Sequence, residues 1–168
     1  MEVFSALYAT AAVLLILAGS AKVFRPDATE RLLKDLRVPK LAAFNHRQMV
    51  RGLGSAEVAL GVAALIVEIS ALALLIGLVF LAFAAVVTVA IRSGSASCGC
   101  FGRPDTPPTR AHIVANLALG VSALLASQTP TPLAVMEAQA AGGVGFVGVV
   151  GALAGGLFVL LGGRVRPA

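Results

Sequence analysis

The chain has 168 residues, of which 58% are hydrophobic and 12% are charged, and its mean hydropathy is +0.95. This composition excludes an ordinary soluble domain, in which about 25% of residues are charged. The formal net charge of +5 comes from basic residues that lie beside apolar segments, and the chain has no tryptophan and one tyrosine. We therefore expect a lipid bilayer as its partner and no nucleic acid.

The first apolar segment, VFSALYATAAVLLILAGSA, covers residues 3–21. It is long enough to cross a bilayer and longer than the apolar part of a signal peptide, so we predict an uncleaved membrane-spanning helix. The stretch PDATERLLKDLRVP follows, with Asp27 and Glu30 spaced as a capping box, leucines on one face and Pro39 at its end. It predicts a short helix along the membrane surface, serving as a connector or as a docking site.

Two further spans are predicted between Leu53 and Ile91, where the only charged residues are Glu57 and Glu68. This segment is about twice as long as one crossing requires. We therefore expect two helices joined by a tight turn at Glu68.

Apolar segments at residues 112–127 and 143–161 predict a short fourth span and a glycine-rich fifth. In the fifth, GVGFVG satisfies the GxGxxG pattern, but no predicted strand precedes it and a dinucleotide site is not indicated. Gly148, Gly151 and Gly155 instead predict close helix packing, within the chain or between two copies.

The predicted fold class is therefore all-α, a polytopic membrane helical bundle with a four-helix core and a fifth transmembrane helix. Residues 1–127 form the predicted membrane domain, and residues 128–168 form a linker and the C-terminal helix.

All 13 basic residues lie in three segments that share one side of the membrane if there are five spans. Because short loops rich in Lys and Arg stay in the cytoplasm, we predict a cell-membrane protein with its N-terminus outside. Its C-terminus and the loop after the third span are then cytoplasmic.

That loop, SASCGCFGRPDTPP, holds both cysteines, Cys98 and Cys100. A disulfide closed across one residue is strained and easily reduced, and Gly99 supplies the backbone freedom it needs, so the pattern indicates a redox pair. Nearby arginines stabilise a reactive thiolate. Two alternatives remain: buried thiols that only pack, and a Cu(I) or zinc site completed by His46 and His112.

Polar residues inside the predicted spans are the other candidates. A carboxylate at Glu57 is costly in a bilayer unless it is paired or lies near the interface, and we expect Lys22, His112 or Asn116 as its partner. His112 and Asn116 lie four residues apart on one helix face. We expect Asn116 to bond between helices and His112 to cap, pair or carry protons for the thiols.

Three stretches, LAGSAKVFRP, SAEVALGVAAL and CGCFG followed by a helix with Asn116, resemble the methylamine utilisation protein MauE family and its broader DoxX-like relatives. The resemblance covers residues 1–127. It implies a small multi-pass helical bundle that assists maturation of the disulfide-rich small subunit of methylamine dehydrogenase. Family members often have Arg before the asparagine, where this chain has Ala115.

By this resemblance, Cys98 and Cys100 are the redox-active pair, within a motif completed by Gly99, Phe101 and Gly102. The same resemblance makes Lys22, Glu57 and Asn116 the supporting polar residues. We add His112 because it shares a helix face with Asn116. The implied partner is a thioredoxin-like protein or an exported disulfide-containing client. We expect no metal and no bound cofactor. Whether the chain uses a quinone, and whether it is a thiol-disulfide oxidoreductase, are left open. A noncatalytic scaffold or chaperone and a metal-handling protein are the alternatives.

Overall fold

A computed structural model describes residues 2–35, 45–67, 69–95, 107–128, 132–138 and 143–161. The described residues form seven α-helices and no strand. The helices are α1 (Glu2–Phe24), α2 (Asp27–Asp35), α3 (His46–Ile66), α4 (Ser70–Arg92), α5 (Arg110–Ala126), α6 (Pro132–Ala138) and α7 (Val144–Leu161).

Helices α1, α3, α4 and α7 are long and apolar enough to cross a membrane. Helix α5 has 17 residues and is about 25 Å long, somewhat shorter than the ~30 Å hydrocarbon core of a bilayer. The predicted all-α membrane bundle is confirmed, and the short fourth span corresponds to α5.

Helices α1 and α3 form an antiparallel pair whose backbones touch at two glycines. A Cβ atom built on Gly19 would lie 2.5 Å from the carbonyl oxygen of Gly54, and one on Gly54 would lie 2.6 Å from the carbonyl oxygen of Gly19. Small residues at a helix interface permit this close approach. We call this contact the glycine crossing.

Helices α4 and α5 form a second antiparallel pair, in which glycines again permit close packing. A Cβ atom on Gly77 would lie 3.0 Å from the carbonyl oxygen of Gly120 and 2.6 Å from the Leu124 side chain. Helix α1 joins the two pairs, because it also packs on α5 and α7. Its buried residues, including Leu14 and Leu15, lie in the main apolar core.

Helix α2 turns its apolar face towards the protein, where Ala28 and Leu32 are buried. It packs on α1 and α3. The sequence pattern predicted this helix with its apolar side towards lipid, and the structure differs because the bundle offers that side a closer apolar surface. Its first residue is Asp27, and its predicted end at Pro39 lies outside the described residues.

The region between α5 and α7, predicted as a linker, contains the short helix α6. Helix α7 packs through Phe146, Val150 and Ala154, which are buried. Its glycine face makes no close contact with other described residues: Cβ atoms on Gly148 and on the two glycines of the GxxxG pattern would meet no atom within 4 Å. Close glycine packing within the chain is therefore not found among the described residues, and packing between two copies stays a prediction.

The glycine crossing makes a stability prediction. We expect Gly54→Ala to lower the free energy of unfolding by about 1–3 kcal/mol, because the added methyl group meets the backbone oxygen of Gly19. The measurement is helix loss by circular dichroism during denaturant titration in detergent micelles.

Gly52→Ala is the matched control in the same helix. A Cβ atom there meets nothing within 4 Å, and the glycine is exposed. Since alanine favours a helix over glycine by about 1 kcal/mol, this variant is expected to be as stable as the parent or more so. Equal destabilisation by the two substitutions would contradict the crossing.

Candidate functional site

A buried ion pair joins α1 to α3. The Lys22 Nζ atom donates a hydrogen bond of 2.7 Å to Glu57 Oε2, and both residues are at most 5% exposed. The structure thus pairs the intramembrane carboxylate with one of its three expected partners. Opposite charges held this close compensate each other where water cannot.

The glycine crossing sets the position of this pair. Lys22 lies three residues after Gly19, and Glu57 lies three residues after Gly54. A Cβ atom built on Gly54 would lie 2.9 Å from the Cβ atom of Lys22, and one built on Gly19 would lie 2.9 Å from the Cβ atom of Glu57. Residues three apart share one face of a helix. The close backbone approach therefore brings the two side chains together on the same side of the interface.

Both partners of the pair keep unused hydrogen-bonding capacity. Glu57 Oε1 is buried and has no hydrogen-bond partner. The Lys22 ammonium has three N–H groups, and among the described residues it donates to Glu57 alone. Its Nζ atom also lies 5.2 Å from the centre of the Phe83 ring, within the range of a cation–π contact.

His112 caps the start of α5 and links it to the end of α7. Its Nε2 atom lies 3.0 Å from the carbonyl oxygen of Leu161, which can only accept, so Nε2 carries the proton in this network. Its Nδ1 atom then accepts from the Thr109 backbone N–H at 3.3 Å and lies 2.8 Å from Thr109 Oγ1. Both ring nitrogens are engaged in holding the start of α5 and the end of α7.

Asn116 is buried, but its amide bonds within its own helix. The Nδ2 atom donates a hydrogen bond of 2.7 Å to the carbonyl oxygen of His112. We expected this amide to bond between helices, and in the described residues it does not. The side chain nevertheless lines an internal cavity.

The cavity has a volume of about 160 Å³ and is lined by residues of α1, α2, α4 and α5, by Leu53 of α3 and by the last residue of α7. Its polar lining comes from Lys22, Thr29, His112 and Asn116. Apolar side chains cover the rest, among them Leu14, Leu32, Phe80, Phe83, Val87 and Leu119.

The loop with both cysteines starts and ends at the end of the bundle that holds this cavity. Helix α4 ends in a Schellman motif, in which Gly94 has φ of 66°, its N–H bonds to Ile91 and that of Ser95 bonds to Ala90. Helix α5 begins at the Thr109–His112 cap. Cys98, Gly99, Cys100, Phe101 and Gly102 themselves lie outside the described residues.

Within the described part of the chain, no group of three or more His, Cys, Asp or Glu side chains could hold a metal ion. His46 is half-buried at the start of α3, where the side chain of Asn45 caps the helix by accepting from the N–H of Gln48 at 3.4 Å. His112 is engaged at both nitrogens. The two cysteines of the predicted metal site lie outside the description.

Sequence reasoning missed Phe83, Thr29 and the carbonyl oxygen of Leu161 as parts of this region. Phe83 carries no signal of its own, because apolar helices are rich in such residues. Thr29 carries none either, because it is an ordinary polar residue in the short polar-faced helix α2. The Leu161 contact joins residues 49 apart through a backbone atom, which no side-chain pattern indicates.

Comparison with known families gives one match. The family model described as methylamine utilisation protein MauE matches residues 2–128, which include α1 to α5 and exclude α6 and α7. No curated protein matches the chain, and no solved structure does.

The ion pair makes a prediction about stability. We expect Lys22→Met to destabilise the bundle by about 3–5 kcal/mol, because it leaves a buried carboxylate without its counter-charge. The double variant Lys22→Met/Glu57→Met should recover most of that loss, since it removes both charges. Denaturant titration in micelles measures both, and losses that simply add in the double variant would refute a direct pair.

Proposed function

The chain belongs to the MauE family of methylamine utilisation proteins, and on that premise we propose that it is a membrane thiol-disulfide factor that helps an exported, disulfide-containing client to mature. Cys98 and Cys100 are the reacting pair. A thioredoxin-like protein or the client itself is the partner that exchanges disulfides with them.

The observation that carries this proposal is where the cysteine loop is anchored. It leaves α4 through the Schellman motif at Gly94 and Ser95 and enters α5 at the Thr109 cap. Cys98 comes only three residues after Ser95 in the sequence. We therefore expect the thiols to react near the end of the bundle that holds the ion pair and the cavity.

Positive charge at both anchors supports thiolate chemistry. Arg92, the last residue of α4, and Arg110, the first of α5, are both exposed. Cations near a thiol favour its ionised form, which is the nucleophile in disulfide exchange. The capped helix ends keep these two charges at fixed points on either side of the loop.

The exchange transfers a disulfide from the protein to the partner that meets the cysteine loop on its side of the membrane. A partner thiolate attacks one sulfur of the Cys98–Cys100 disulfide, that S–S bond breaks, and the released sulfur leaves as a thiolate. The partner's second thiol then attacks the mixed disulfide. The partner gains an S–S bond, the protein pair returns as two thiols, and the two protons of the partner's thiols balance the step.

In this proposal Lys22, Glu57 and Asn116 support the reacting pair indirectly. The ion pair holds α1 against α3, and Asn116 lines the cavity. His112 holds the start of α5, where the loop ends. These residues position the loop anchors and do not take part in sulfur exchange.

We also propose the orientation that the positive charges favour, with the cysteine loop in the cytoplasm and the N-terminus outside. Reducing or oxidising equivalents then reach the external client through a membrane-spanning partner or through the bundle.

The thiol chemistry can be tested by trapping. After incubation with a dithiol peptide, we expect the oxidised wild-type protein to give an oxidised peptide. With a peptide that has a single thiol, Cys100→Ser, first activated as a mixed disulfide at Cys98, should give a stable covalent adduct, because no second thiol is present to release it. Cys98→Ser/Cys100→Ser should give neither. Mass spectrometry of the intact proteins detects each species.

Ser97→Ala is the matched control for this experiment, because it changes a small side chain in the same loop and should exchange like the wild type. Full maturation of a client by the double cysteine variant would instead support a scaffold or chaperone. Zinc or copper that co-purifies with the wild type and is absent from the double variant would support metal handling.

The orientation predicts the side from which the cysteines react. A membrane-impermeant maleimide should label Cys98 and Cys100 in inside-out vesicles and not in right-side-out vesicles. As a control, Ile69→Cys in the cysteine-free variant places an exposed thiol between α3 and α4, at the opposite end of the bundle, and should label with the reverse preference. External labelling of Cys98 would overturn the orientation.

A further inference from the structure

The cavity beside the ion pair has the size of a small ring. Its volume is about 160 Å³, and cavities of about 150 Å³ lined by aliphatic and aromatic side chains bind benzene. Five different helices and the last residue of α7 contribute to its wall. A compound that fills it must be apolar over most of its surface.

The polar wall selects for a neutral ligand that accepts hydrogen bonds. Lys22 lines the cavity, and among the described residues only Glu57 accepts from its three N–H groups. The Glu57 carboxylate already balances the ammonium charge at 2.7 Å. An anionic ligand would therefore gain little attraction from the site, whereas an uncharged carbonyl oxygen would receive a strong hydrogen bond from a charged donor.

The aromatic wall favours a flat ring. Phe80 and Phe83 both line the cavity, with ring centres 5.8 Å apart and planes at 73°. Two rings in this arrangement offer a face and an edge to a third, and aromatic rings pack favourably in such offset or edge-to-face contacts.

We propose that this cavity binds the ring of a lipid-soluble quinone, with the Lys22 ammonium donating a hydrogen bond to one ring carbonyl. The quinone's tail then extends into the surrounding lipid, from which such compounds are available to a membrane protein. Neutral charge, carbonyl acceptors and a flat apolar ring are the three properties that the cavity wall requires.

A quinone at this place would supply the oxidant that the thiol cycle needs, and this consequence rests on the proposed function. Reoxidation of the pair removes two electrons and two protons from the Cys98 and Cys100 thiols and forms their S–S bond. The quinone takes up both electrons and both protons, and its two carbonyl groups become the hydroxyl groups of a quinol.

The binding test uses a decyl-substituted azidobenzoquinone and the full-length protein in lipid nanodiscs. Photolysis followed by peptide mass spectrometry should place the label on cavity residues. Ala115→Phe, which fills the cavity from α5, is expected to weaken binding at least about tenfold. Leu33→Phe, which fills it from α2, provides a second and independent variant.

Ala118→Phe is the matched control, because Ala118 lies on α5 but is exposed and outside the cavity. It should bind the probe like the wild type. Unchanged binding by both cavity-filling variants, or labelling confined to residues outside the cavity, would overturn the proposal.

Two further ligands test the selectivity. Decylbenzene lacks the carbonyl groups and should compete at least about tenfold more weakly than decylbenzoquinone. Decanoate, which mimics a lipid carboxylate, should also compete more weakly, and equal competition by either ligand would refute carbonyl recognition.

The Cys98→Ser/Cys100→Ser variant should still bind the quinone. Binding by that variant without thiol exchange in the wild type would reject the proposed function and keep the quinone site.

Discussion

The buried ion pair between Lys22 and Glu57 is the constraint around which the bundle is organised. A charged group in a membrane bundle needs a counter-charge at short range, and long side chains alone would not guarantee one. The glycine crossing supplies the geometry, because the backbones of α1 and α3 touch three residues before each charged side chain. Electrostatics and backbone packing therefore depend on each other, and neither helix can shift far without exposing a charge to an apolar environment.

The same end of the molecule holds the two helix ends between which the cysteine loop runs. The Schellman motif at Gly94 ends α4, and the pairing of Thr109 with His112 begins α5, so local hydrogen bonds determine both points where the cysteine loop meets the bundle. His112 also connects this end of the bundle to α7 through Leu161.

The sequence predicts much of this fold because membrane helices carry a strong local signal. Long apolar runs and their charged boundaries indicated five helices, and the cost of an isolated carboxylate indicated that Glu57 needed a partner. Features that depend on contacts between distant segments were not predictable. The cavity arises where six helices meet, the amide of Asn116 bonds to its own helix, and the apolar side of α2 faces protein. Each outcome depends on which neighbouring segment the packing brings close. Helix α6 is short and lacks a periodic pattern.

The 35-residue separation of the paired charges has a consequence for biogenesis. Lys22 lies near the end of α1 and can reach the headgroups while the chain is still being inserted, but Glu57 lies in the middle of α3. A lone acidic side chain inside a membrane span is costly to insert. Helix α1 is synthesised first and supplies the cation. Insertion of α3 is therefore most favourable when this helix packs on α1 as it enters the lipid, because the ion pair then forms during insertion.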